Sequence, residues 1–184
     1  MSLVEAIAPA ILPWLDRPFV LFGHSMGALI AFELVRYLRE LDKPQPDRLL
    51  VSGRRAPQFP DDDPPSYNLS DEELLEKLRW LKGTPPEVLE NPEMQQLLLP
   101  LLRADFEVCE TYEYVEKAPL ACPLVAMGGW RDPAIRGGGL RGWRYHTTGK
   151  FEKKVFPGNH FFLNSARDRW LRFLSKQLVA CERV

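Results

Sequence analysis

Ser25 stands in Gly23-His24-Ser25-Met26-Gly27, a pentapeptide whose residue types suit nucleophilic chemistry. A serine hydroxyl attacks a carbonyl well only when its position is fixed and a base takes its proton. The pattern Gly-x-Ser-x-Gly achieves the first by raising the serine on a sharp turn between a strand and a helix. The bare pattern is weak evidence, so its frame matters. Phe19, Val20, Leu21 and Phe22 precede it as a short apolar run, as expected of a parallel strand covered on both faces. From Met26 to Leu41, Leu29, Ile30, Phe32, Leu34, Val35 and Leu38 follow at helical spacing. The turn then exposes Ser25 Oγ above the strand end. It also leaves the Met26 N–H, at the helix start, as a donor to an oxyanion. Both glycines are expected to be required by the close approach of strand and helix.

A serine nucleophile needs a base, and the chain holds three histidines. His24 lies inside the turn, where its side chain is expected to point away from the reaction. His146 lies in "RYHTTGK", a polar stretch expected on the surface. His160, in "FPGNHFFLN", follows an apolar run and precedes a helical pattern, so a loop can aim its ring at Ser25; it is the favoured base. The acid that orients the base should fall between serine and histidine in this order of residues. Asp132 in "GGWRDP" does so, although an aspartate before Pro133 also reads as a simple Asx turn. Asp105 and Asp61 to Asp63 are the other carboxylates weighed, and they are expected to be solvated.

These residues need a scaffold. "RLLVSG" (48–53), "CPLVAMGG" (122–129) and "FEKKVF" (151–156) read as further strands, the last more exposed. An amphipathic helix over about 165–181 carries Trp170, Leu171, Phe173, Leu174 and Leu178. Strands alternating with helices predict an α/β fold with a mostly parallel sheet. Between the second and third strands lies an insertion, about 56–121, expected as a helical lid above the sheet's C-terminal edge. It opens with the loop-like "PQFPDDDPPSYN". Ser70 and Glu73 then form a capping-box signature ahead of Leu74, Leu75, Leu78 and Leu81, with Gly83 as the expected stop. Asn91 and Pro92 begin a second lid helix that Pro100 is expected to kink or divide. Its Leu97, Leu98, Leu101, Leu102 and Phe106, with Tyr112, and separately Phe161, either line an acyl channel or simply pack. The candidate substrate contacts are Leu98, Leu102, Phe106 and Phe161.

Composition narrows the partners. The 184 residues are 45% hydrophobic and 27% charged, with 24 Lys+Arg against 25 Asp+Glu, a net charge of −1. That leaves no basic footprint for nucleic acid or an anionic membrane. Cys109, Cys122 and Cys181 have neither disulfide nor metal-ligand spacing, which fits a reducing cytoplasm. The N-terminal residues lack a basic region and are interrupted by Glu5, Pro9, Pro13 and Asp16, a poor signal peptide.

From about Leu12 to Leu163 the chain resembles the type II thioesterases, free-standing α/β-hydrolases that edit nonribosomal peptide and polyketide synthases. The resemblance rests on "LFGHSMGALIAFELVR", "VSGRRAP", "GTPPEVLENPEMQQLLLPLLRADFEVCETYEY", "GGWRDP" and "FPGNHFFL" together. It implies one α/β-hydrolase domain over 1–184, with Ser25 as nucleophile, Asp132 as orienting acid and His160 as base. The implied substrate is an acyl thioester on the phosphopantetheine arm of an acyl or peptidyl carrier protein, and the chemistry needs no metal or cofactor. Such proteins carry a further N-terminal segment that supplies the first strands and a second oxyanion donor. Against that pattern the chain is expected to be a shortened form whose Phe19–Phe22 edge is open to self-association. Its hydrolysis is expected to be weak, since losing one oxyanion donor costs roughly 10²- to 10³-fold in rate. The competing readings are a general serine esterase or lipase, and a non-catalytic module that binds carrier protein.

Overall fold

The computed structural model describes residues 3–59 and 64–179; Asp61 to Asp63 and Cys181 lie outside them. The described residues fall into two compact units, 3–59 with 116–179, and 64–115.

The first unit is built on four parallel strands in the order β1 (Val20–His24), β2 (Arg48–Ser52), β3 (Leu124–Gly129) and β4 (Phe151–Phe156). Helix α1 (Leu3–Ile11) leads in, α2 (Met26–Glu40) joins β1 to β2, and α6 (Gly139–Gly142) lies between β3 and β4. After β4 come α7 (Phe162–Ser165) and α8 (Arg167–Val179). Leu49, Leu50, Val51 and Leu124 to Met127 are fully or almost fully buried, as central parallel strands covered on both faces must be. The edges differ: β4 turns Lys153 and Lys154 to solvent, and β1 leaves Phe22 39% exposed.

Alternation along β1 assigns its side chains to two layers. Phe19 and Leu21 join the cluster formed by α1 and α2, with Ala8, Leu15, Leu34 and Leu38. Val20 packs on the opposite layer, where Leu50, Val125, Met127 and Phe156 meet Phe162 and the α8 residues Trp170, Phe173 and Leu174. Phe22 faces that layer too, its ring 5.7 Å from Trp170. The amphipathic helix expected over about 165–181 is α8, which begins at Arg167; its Trp170, Phe173 and Leu174 pack on the sheet, whereas Leu171 and Leu178 are exposed.

The second unit holds α3 (Asp71–Leu81), α4 (Pro86–Leu89) and α5 (Pro92–Glu110). Its core is Leu74, Leu75, Leu78, Leu89 and Leu99. The capping box forms as the spacing predicts: Ser70 Oγ accepts the Glu73 N–H, and the Glu73 carboxylate accepts the Ser70 N–H. Asn91 caps α5 by accepting the Glu93 and Met94 N–H groups. Two local expectations are corrected. Helix α3 ends at Lys82, which takes the left-handed conformation (φ 56°) itself, so Gly83 is not its cap. Helix α5 is not divided at Pro100 but continues to Glu110, with Leu102 and Phe106 packed on the α3 cluster. The unit is also narrower than 56–121, because Ala56 hydrogen-bonds to Gly139 and Leu120 pairs with Thr147, tying both flanks to the first unit.

Among the described residues no helix is long and apolar enough to cross a membrane, and no group of three His, Cys, Asp or Glu could hold a metal ion. No disulfide joins Cys109 and Cys122.

Candidate active site

Ser25 occupies the step from β1 into α2 at φ 54° and ψ −117°, a conformation that costs a residue bearing a Cβ. What holds it there is visible on both sides. The Ser25 N–H donates to the Ser52 carbonyl at the end of β2, and the Ser25 carbonyl accepts the Ala28 N–H of the first helical turn. Gly23 makes the turn possible: a Cβ there would lie 1.9 Å from the Gly27 carbonyl oxygen. Gly27 has no such role, since a Cβ on it would meet nothing within 4 Å, so only one of the two glycines is sterically required. Ser25 Oγ makes no capping hydrogen bond to α2, and Met26 is the first residue of that helix, where N–H groups lack helical acceptors.

Asp132 sits just past β3, 1% exposed, and caps the 3-10 turn Pro133–Ile135. Its Oδ1 accepts the Ala134 N–H at 3.0 Å, and its Oδ2 accepts from His160 Nδ1 at 2.9 Å. The Asx turn and the histidine contact are thus not alternatives, because the carboxylate gives one oxygen to each. A carboxylate oxygen accepts, so Nδ1 carries a hydrogen, and the tautomer of the neutral ring that fits this bond has its lone pair on Nε2.

His160 follows β4 on a loop that lies against the end of β3. Gly129 permits the approach, as a Cβ on it would come within 2.1 Å of the Asn159 carbonyl oxygen. The Trp130 and Arg131 N–H groups donate to the carbonyls of Phe156 and Gly158, and Asn159 Oδ1 accepts the Phe161 N–H. Ser25, Asp132 and His160 therefore follow the C-terminal ends of β1, β3 and β4. The His160 ring lies 4.8 Å from that of His24, the residue preceding Ser25.

A strained serine on a strand-to-helix turn, with a buried aspartate–histidine pair at the same edge of the sheet, is an arrangement for acyl transfer. The sequence profile of the thioesterase domain matches residues 1–178. The chain belongs to the thioesterase family. It is 46% identical over 179 residues to the protein named linear gramicidin dehydrogenase LgrE of Brevibacillus parabrevis, covering 96% of this chain and 68% of that protein. It is 44% identical over 177 residues to gramicidin S biosynthesis protein GrsT of Aneurinibacillus migulanus, with 96% and 69% covered. The solved structure of the RedJ thioesterase of the prodiginine pathway of Streptomyces coelicolor matches with a TM-score of 0.87 at 40% identity, over 94% of this chain and 69% of that one. This thioesterase is accordingly a serine-type hydrolase with the α/β-hydrolase fold.

The remaining candidates divide between the units of the thioesterase. Phe161 packs edge-on against His160, ring centroids 5.1 Å apart. Leu102 and Phe106 pack against the α3 cluster of the second unit, and Leu98 is half-buried on the same helix. Asp105 is exposed, as expected of a solvated carboxylate.

Two histidines depart from the sequence reading. His146 is 5% exposed rather than on the surface. It lies among Phe32 and Trp143 with Nε2 2.5 Å from Gln58 Oε1, and burial, reinforced by Arg36, pushes its imidazole down to about 4. His24, expected to point away from the reaction, instead lies against the ring of His160. Burial, then the neighbouring His160, pushes it to about 4 against an opposing pull from Asp132. Because both values lie below the ordinary 6.5, the unfolded chain binds more protons in this window. Stability is therefore expected to be full above about pH 6.5 and to fall as pH drops toward 4. Melting temperatures measured across that range should show the loss. His146→Gln should remove about one proton from the slope; an unchanged slope would show that His146 is already charged in the fold.

Proposed function

We propose that this thioesterase hydrolyses acyl thioesters held on the phosphopantetheine arm of acyl or peptidyl carrier proteins, editing or unblocking a nonribosomal peptide or polyketide synthase. The gramicidin and prodiginine pathways of the relatives support the substrate class. The observation that carries the chemistry is the Asp132–His160 hydrogen bond beside the strained turn of Ser25. In this reading His160 Nε2 takes the Ser25 proton as Oγ attacks the thioester carbonyl carbon. The oxyanion is held by the Met26 N–H, and as it collapses the C–S bond breaks and His160 gives the proton to the departing pantetheine sulfur, which leaves as the thiol. Water, deprotonated by the same nitrogen, then attacks the acyl-serine; the C–Oγ bond breaks, Oγ takes the proton back from His160, and the acid leaves with Ser25 restored. Phe161, packed against His160, is proposed to contact the acyl group. The packing of Leu102 and Phe106 favours a structural role for those two.

A fluorophosphonate should label Ser25, and the enzyme should cleave an acyl-phosphopantetheinyl carrier protein faster than the matching simple oxygen ester. Preference for the oxygen ester would assign a general esterase instead. Folded protein that resists labelling yet binds carrier protein would assign a non-catalytic module.

The partners are proposed to include a second copy. The outer edge of β1 pairs with no strand among the described residues, and it bears the exposed Phe22. Sedimentation should show dimers that Phe22→Lys disperses, and a strictly monomeric, stable species would refute the contact.

A further inference from the structure

The His24 side chain is not used by the mechanism above, yet it is the ring that His160 leans on. The register of the parallel pair places His24 opposite Ser52, on the face away from α2. His24 Nδ1 is hydrogen-bonded there to Ser52 Oγ at 2.9 Å, and Ser52 is fully buried. The His24 ring meets His160 at 4.8 Å and 46°, and Phe162 edge-on at 6.2 Å. Phe162 is itself buried and stacked on Phe156 at 5.0 Å. Gly53 leaves this junction open. Its φ of 62° suits glycine, and a Cβ on it would lie 2.6 Å from His24 Cε1 and 3.2 Å from His160 Cε1.

His160 needs such a support. One hydrogen bond to Asp132 sets its tautomer but leaves the ring free to tilt about that contact, and proton transfer requires Nε2 to aim at the serine oxygen. His24 also leaves Nε2 buried with no hydrogen-bond partner among the described residues, a burden that a phenylalanine of similar size would not carry. The tether to Ser52 is what an imidazole adds over a phenyl ring. Burial keeps His24 neutral, so it offers His160 an uncharged ring face both before and after His160 takes up the proton.

We propose that His24 is a positioning residue: its imidazole, tethered to Ser52 and seated on Phe162, holds the His160 ring in the plane from which Nε2 reaches Ser25. This rests on the assignment of Ser25 and His160 as nucleophile and base, and the test separates the two. Steady-state kinetics on an acyl-pantetheine thioester should show His24→Ala lowering kcat by about 10- to 100-fold with KM little changed, because only proton transfer is misaligned. His24→Phe should recover part of the loss by restoring the ring without the tether. Ser52→Ala, the milder change if His24→Ala folds poorly, should fall to the level of His24→Phe. In a His160→Ala background, His24→Ala should have no further effect, since it acts through the missing ring. A kcat unchanged in folded His24→Ala and Ser52→Ala, an equal loss in the His160→Ala background, or a loss confined to KM would overturn the proposal. If Ser25→Ala or His160→Ala itself leaves turnover intact, the assignment beneath it fails instead.

Discussion

Ser25→Ala is expected to lower kcat by roughly 10⁴- to 10⁶-fold while leaving the fold and melting temperature nearly unchanged. The two halves of that expectation have separate causes. Activity falls because no other hydroxyl occupies the strand-to-helix turn beside the Asp132–His160 pair, and what remains is substrate binding and the Met26 donor. Stability holds because alanine keeps the Cβ, and with it the same backbone strain at φ 54°, and because Ser25 Oγ makes no capping hydrogen bond that could be lost. The bonds that fix the turn are made by the Ser25 main chain, which alanine retains. The measurement is turnover of an acyl-pantetheine thioester together with a thermal melt. Activity within tenfold of the parent would mean that Ser25 is not the nucleophile. Loss of activity with loss of fold would mean that the hydroxyl has a structural role that these contacts do not reveal.

Asp132→Asn is expected to cost about 10⁴-fold in kcat, and unlike the serine substitution it should also destabilise the protein. Asp132 receives two donors, the Ala134 N–H on Oδ1 and His160 Nδ1 on Oδ2. An asparagine has one acceptor oxygen, so one of these donors must face an NH₂ group. If the oxygen stays with Ala134, the amide donates toward His160 Nδ1, which must then give up its hydrogen; the proton moves to Nε2, where no lone pair remains to receive the serine proton. If the oxygen turns to His160, the Ala134 N–H is left facing a donor inside a site that is 1% exposed, and the turn over Pro133–Ile135 loses its cap. A loss of about 1 to 3 kcal/mol is expected in that second arrangement. Near-full activity at neutral pH would remove Asp132 from the catalytic set.

The legibility of the fold varied with how local its causes are. Strands β1 to β4 could be read because each is a short apolar or alternating run bounded by glycine, proline or a turn, and β4 falls on the residues expected. The cap of α3 was legible for the same reason: Ser70 and Glu73 act across three residues. Where the determining contact is distant, the reading failed. His146 sits in a polar heptapeptide but is buried, because Phe32 from α2 and Gln58 from the loop after β2 close over it. Pro100 removes a helical N–H, yet α5 continues, held by packing against α3. Both glycines are expected to be required by the close approach of strand and helix, although only at Gly23 do the two touch.

The sequence alone determined the kind of chemistry and put forward Ser25, His160 and Asp132 as the candidates for it, because a nucleophile turn, a histidine and an aspartate are specified by residue type, by order along the chain, and by the strand ends they follow. Tertiary structure decided how those atoms are held. Ser25 is pinned to Ser52, Asp132 divides its two oxygens between a turn and a ring, and His24 lies against His160. Apart from the local Asp132–Ala134 bond, each of these contacts joins segments at the ends of different strands of a parallel sheet, and their register arises only when the whole core closes.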